Sequence, residues 1–234
     1  MQINHQSSSF REFIIKVGKF FLLTVAHNIM AVPILMAFYV LHLKATITIQ
    51  ITLAILCTLL GILTVYLMQK YYSRRLQLSN PMLFTTKRLT KERIWKLLIT
   101  IVIIALWIFI EGFFSSSASG SADQTATANV MTAFPIPMFI VVSIIGPIYE
   151  EQLNRGIFFA YFIHSNSTLA KVMGLLSSAL LFALLHGLTF DFAMLDCFLS
   201  GVVLAGIYLI TKNLKYGMIA HLLSNVIASY ALFF

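Results

Sequence analysis

Seven apolar stretches, each long enough to cross a bilayer as a helix, leave this chain little choice of fold. They run from about Phe20 to Leu43, Thr46 to Met68, Leu97 to Phe114, Ile136 to Ile163, Leu169 to Gly187, Phe192 to Thr211 and Leu214 to the C-terminus. A helix needs about 20 apolar residues to span the hydrocarbon core. Inside that core every backbone N–H and C=O must find its partner within the segment, which for isolated stretches means an α-helix. The predicted fold is therefore all-α: a polytopic transmembrane bundle of about seven spans, within a range of six to eight. Residues 1–19 read as a cytoplasmic tail and 20–234 as a single membrane domain.

Charge supports this division. Only 10% of the residues are charged, against about 25% in a typical soluble domain. The formal net charge of +8 could suggest nucleic acid. The basic residues, however, lie in short loops between apolar spans, the pattern that sets topology and meets anionic lipid headgroups. No nucleic-acid partner is expected; anionic membrane lipid is. The densest cluster, Lys70, Arg74, Arg75, Lys87, Arg88, Lys91, Arg93 and Lys96, should face the cytoplasm, with Asn80-Pro81 marking a turn within it. Residues 115–129, small and polar without Lys or Arg, read as an outside loop. Seven spans then place the N-terminus in the cytoplasm and the C-terminus outside the cell membrane. Cys57 and Cys197 fall in apolar spans and imply neither a disulfide framework nor a metal site.

One stretch breaks the apolar rule. Gly146-Pro147-Ile148-Tyr149-Glu150-Glu151-Gln152-Leu153-Asn154-Arg155-Gly156 lies within the fourth span, where Pro147 predicts a distortion of the helix. An acidic side chain at the centre of a membrane helix costs about 2.5–3.5 kcal/mol on insertion scales, so it needs a partner. Glu151 and Arg155 stand four apart with the acid first, the favourable order for a helical ion pair. Glu150 lies about 100° further round the helix and must face something else. It is the residue expected to do chemistry.

Two further polar sets follow on separate spans: Phe182-Ala-Leu-Leu-His186 and His221-Leu-Leu-Ser-Asn225. Each has i,i+4 spacing, so its members share a helix face. Counted from the cytoplasmic ends of their spans, Glu150 lies roughly 20 Å deep, His221 roughly 10 Å, Asn225 roughly 16 Å and His186 roughly 25 Å. A helix start nearer Gly174, or a tilt, would bring His186 level with the others.

In this order and on separate spans, Glu150-Glu151-x-x-x-Arg155, Phe182-x-x-x-His186 and His221-x-x-x-Asn225 resemble the CAAX protease and bacteriocin-processing (CPBP, or Abi) family, whose members are glutamic-type intramembrane endopeptidases. The resemblance covers about 136–228, the implied catalytic core, and the Arg155-Gly156 pair fits the family pattern as well. It implies that Glu150 and His186 activate a water, with Glu150 as general base. It further implies that His221 and Asn225 stabilise the oxyanion, with Glu151, Arg155 and Phe182 in support. The implied substrate is a peptide or protein presented at the cytoplasmic leaflet, in the maturation of a bacteriocin or signal peptide or in immunity.

No cofactor is expected. Zinc is the disfavoured alternative, because the chain has no His-Glu-x-x-His motif and its cysteines are poorly placed. Gly-x-Ser-x-Gly is also absent. His27 and His42, with no polar residue at helical spacing, read as packing or interfacial histidines, and Asp191 and Asp196 as acids at a helix start. Two other functions stay open: a non-catalytic immunity or scaffold protein binding a peptide or sensor kinase, and a small transporter with Glu150 in a proton relay. Spans one to three are nearly bare of polar residues, which disfavours transport. The oligomeric state is not legible.

Overall fold

The computed structural model describes residues 3–86, 94–114, 122–188 and 190–233. Every regular element among them is helical. Helix α1 (Ile3–His27) passes through a 3-10 turn (Asn28–Ala31) into the short α2 (Val32–Leu35) and a π-helical end (Met36–Val40). Then come α3 (Ile47–Leu78), α4 (Ile94–Phe114), α5 (Ala122–Ala133) and α6 (Pro135–Phe139). A π segment (Ile140–Ile145), α7 (Gly146–Glu151), a second π segment (Gln152–Ile157) and α8 (Phe158–Phe162) continue from α6 as one rod. Helices α9 (Thr168–His186), α10 (Phe192–Thr211) and α11 (Leu214–Phe233) complete the bundle.

Among the described residues, five helical segments are long and apolar enough to cross a membrane: Phe10–Val40, Ile47–Leu78, Pro135–Phe162, Thr168–His186 and Phe192–Thr211. Helix α4 carries a shorter apolar run, Leu98–Trp107. Helix α11 has the length of a span, but Lys215, His221 and Asn225 interrupt its apolar surface. With these two helices the bundle is roughly consistent with the six to eight spans that the sequence predicts. The outer surface is that of a membrane protein. On α3, Ile51, Ile55, Leu59, Ile62 and Tyr66 form an exposed stripe, while Leu53, Cys57, Gly61, Met68 and Tyr72 on the other side are buried. A helix apolar on both faces, one of them outward, needs lipid as its solvent.

The rod Pro135–Phe162 is the centre of the bundle. In its most apolar 18-residue window 61% of the residues are buried, against 22–28% in the other four spans. Its distortion has a covalent cause. Pro147 has no N–H, and its ring crowds the carbonyl four residues back, so an undisturbed α-helical register cannot pass through it. The wider π turn before it absorbs the mismatch. In that turn the Gly146 N–H reaches back to the Val141 carbonyl, five residues away. The same register aims the Val142 carbonyl at position 147, where proline offers no donor.

Helix starts are set by side chains. Thr46, Ser167 and Asp191 accept from the backbone N–H groups of Ile49, Ala170 and Met194, filling donors that the first turn leaves open. Asn80 clasps its turn by bonding both the N–H and the carbonyl of Phe84.

Helix α1 runs unbroken through residue 19, with Lys16 reaching His164 at 3.5 Å; a long Lys stem lets its charge reach the interface from within an apolar helix. Two expectations are corrected. Residues 122–129 of the polar loop fall in α5, which runs on to Ala133: Ala is the strongest helix former and outweighs the Thr and Asn around it. Helix α9 begins at Thr168, capped by Ser167, so its start does not shift toward Gly174. Of the basic cluster, Lys87, Arg88, Lys91 and Arg93 lie outside the described residues.

Candidate active site

The two adjacent carboxylates part as their 100° separation requires. Glu151 turns into the protein and meets Arg155, Oε1 to Nη1 2.9 Å, both side chains fully buried. The guanidinium has two more contacts: Nη2 donates to the Gly201 carbonyl at 3.2 Å, and Cζ lies 4.5 Å from the centre of the Phe182 ring. A buried ion pair persists only where such additional partners offset its desolvation. Glycines make the space. A Cβ at position 217 would stand 2.7 Å from Glu151 Oε2, and one at 156 would stand 2.9 Å from Leu214 and 3.1 Å from Tyr72.

Glu150 faces three imidazoles. His27 Nε2 is 3.4 Å from Oε1, while His186 Nε2 and His221 Nε2 are 3.8 and 3.7 Å from Oε2. These come from α1, the last residue of α9, and the middle of α11. Exposure grades inward, from 37% for the His186 side chain and 29% for His27, through 17% for Glu150 and 7% for His221, to 0% for Glu151 and Arg155. Glu150 is thus the carboxylate a reactant can reach, and Glu151 is sealed.

Each ring has a set orientation. His186 Nδ1 lies 2.8 Å from the Phe182 carbonyl. A carbonyl only accepts, so Nδ1 carries a proton and donates it there, which turns Nε2 toward Glu150. Phe182 packs against His186 at 4.3 Å and His221 at 5.6 Å between ring centres. It therefore touches both histidines as well as Arg155. His221 lies between the acids, with Nδ1 3.3 Å from Glu151 Oε1 and Nε2 toward Glu150. Glu151 thereby aims the ring. Asn225 Nδ2 donates to the Val142 carbonyl at 3.1 Å, the acceptor that Pro147 leaves without a backbone donor. One of its two N–H groups is so engaged; the second is free to act elsewhere.

Glu150, His186 and His221 thus come together around one carboxylate, with Glu151, Arg155 and Phe182 directly behind them. Asn225 adjoins them through the distorted backbone at Val142. His186 reaches the site from the full-length α9. Among the described residues, no group of three or more His, Cys, Asp or Glu side chains has the geometry to hold a metal ion. Sequence reasoning missed His27. It reads alone because its partner sits on a distant span; the signal for it was the general need of an ionisable group inside a membrane helix for a partner.

Comparisons with known proteins fall on the same region. Residues 132–227 match the family model described as "Type II CAAX prenyl endopeptidase Rce1-like". The "Membrane-embedded CAAX protease MroQ" of Staphylococcus aureus (strain USA300) is 36% identical over 101 residues, which span 41% of this chain and 40% of that relative. No solved structure matches.

Proposed function

We propose, from the match of residues 132–227 to the CAAX endopeptidase family model, that this chain is an intramembrane endopeptidase in which Glu150 and His186 activate water. The matched segment holds all three polar motifs, and its relative is by name a membrane-embedded protease. The observation that carries the reading is the convergence of His186 and His221, from two helices, on one oxygen of the partly exposed Glu150 carboxylate, beside a sealed Glu151.

The chemistry follows from the donors and acceptors. Water gives one hydrogen to the Glu150 carboxylate and the other to His186 Nε2, which turns its oxygen lone pair toward the scissile carbonyl. As the C–O bond forms, Glu150 takes the proton as general base and the carbonyl oxygen becomes an oxyanion. His221 Nε2, in the doubly protonated ring, and the second Asn225 N–H supply hydrogen bonds to that oxygen. Glu151 at Nδ1 supports the charge on His221, and Arg155 holds Glu151 in place. Collapse breaks the C–N bond, and Glu150 returns its proton to the leaving amine. This mechanism takes no cofactor.

The substrate is a peptide or protein tail presented at the cytoplasmic leaflet, in maturation of a bacteriocin-like or signalling peptide or in immunity to one. Lys16, Arg75, His164, Lys171 and Lys212 lie at the end of the bundle marked by the 163–167 and 212–213 turns, which supports a cytoplasmic placement there and an affinity for anionic lipid. The protein is then multi-pass in the cell membrane with its N-terminus inside.

The test compares wild type with Glu150→Gln at equal membrane levels, reading cleavage of the host's secreted peptides by mass spectrometry. Cleavage by wild type and its loss in the variant supports the mechanism. Cleavage that survives the substitution removes Glu150 from it. Protection against a peptide that persists without the carboxylate identifies a binding protein instead.

A further inference from the structure

The C-terminal motifs leave one oxygen of Glu150 unexplained. His186 and His221 both face Oε2, while Oε1 is met by His27 at 3.4 Å, from a helix outside the family match. His27 ends α1, where the backbone tightens into the 3-10 turn Asn28–Ala31. Its ring packs tilted against Tyr149, centres 5.3 Å apart and planes 34° apart, and the Tyr149 hydroxyl donates to the Leu23 carbonyl one turn before His27. The residue beside Glu150 thus ties the helix carrying His27 to the site. His27 Nε2 is shielded from solvent and makes no hydrogen bond, so the carboxylate is the polar group it faces. A buried nitrogen without such a group would carry an uncompensated desolvation cost.

We propose that His27 is a positioning residue for Glu150: facing Oε1, it fixes the rotation of the carboxylate so that the shielded Oε2 stays turned toward His186 and His221. This rests on reading Glu150 as the catalytic base. A carboxylate held at one oxygen cannot rotate to exchange its two oxygens, and base strength is then directed at one place. Misplacing a reacting group by about 1 Å can lower a rate a hundredfold. The first span thereby becomes part of the active site.

The experiment uses the full chain in detergent and in liposomes, as wild type, His27→Ala, His27→Gln and Glu150→Gln. Glutamine keeps an N–H at the reach of Nε2; alanine does not. The first readout needs no substrate: the rate at which the apolar reagent dicyclohexylcarbodiimide modifies Glu150, followed by peptide mass spectrometry with Glu150→Gln as the blank. Release of Oε1 should accelerate labelling at least threefold in His27→Ala, and His27→Gln should return it toward wild type. The second readout is cleavage of quenched fluorescent peptides that cover the host's secreted-peptide set. Here kcat should fall about tenfold or more in His27→Ala with KM within twofold, and recover in His27→Gln. Unchanged labelling in His27→Ala overturns the proposal, as does unchanged kcat. If wild type cleaves nothing, the protease reading is what fails, and the labelling rates still decide whether His27 controls Glu150.

Discussion

Replacing Arg155 by methionine removes a fully buried cation while keeping a long apolar side chain in its place. Three contacts go with it: the 2.9 Å ion pair to Glu151, the 3.2 Å bond to the Gly201 carbonyl and the stacking on Phe182 at 4.5 Å. Breaking a buried pair on one side costs about 3–5 kcal/mol, because the remaining charge is stranded. Glu151 still has His221 Nδ1 at 3.3 Å, so the lower end, about 3 kcal/mol, is expected. That corresponds to a change of roughly a hundredfold in the folding equilibrium. The paired change Glu151→Gln with Arg155→Met leaves no charge unpaired and should recover most of the loss, since neutral replacement of a buried pair is often close to neutral overall. Reversible unfolding in mixed micelles, read for wild type, both single variants and the double, gives the coupling directly. A loss below about 1 kcal/mol in Arg155→Met would refute the reasoning, as that is the scale of a solvent-screened surface pair. A double variant no better than the singles would show that packing of the guanidinium, and not its charge, is what matters.

The Asn225 bond to Val142 predicts a coupling with Pro147. Asn225→Ala should destabilise by about 1–3 kcal/mol by orphaning the Val142 carbonyl, and less in a Pro147→Ala background, where position 147 regains its N–H; the same unfolding assay measures both. At His164, burial first, then Lys16 and Arg75, push the imidazole below its ordinary 6.5. The folded state therefore favours the neutral ring. Its contribution to stability is fully present above pH 6.5 and is lost as pH falls through the lowered folded value, and an NMR titration should show Lys16→Gln moving that midpoint upward.

How much could be read in advance depended on whether an interaction is local in sequence. The Glu151–Arg155 pair was legible because helical spacing alone brings its members together, and the same rule turned Glu150 toward other partners. Helix α10 fell on the expected bounds, since Asp191 and Lys212 bracket an apolar run. His27 was not legible, because its partner lies on another span and nothing in its own neighbourhood points there. The contact of Asn225 with a backbone carbonyl was equally hidden. It exists only because a π register, a collective response of the helix to Pro147, leaves Val142 without a donor. Helix α5 was missed for a compositional reason: small polar residues suit both a loop and a weak helix.

That His27 and His221 flank the same carboxylate also bears on synthesis. The first helix enters the membrane long before the last is made, and until α11 arrives Glu150 lacks His221 and the Val142 carbonyl lacks Asn225. A nascent chain therefore carries its acids and Arg155 into lipid with their surroundings unfinished. Only the closing of the last helix against the central rod, beside the first, completes the set. Assembly of the site thus waits for α11, the latest-made of the helices that contribute to it.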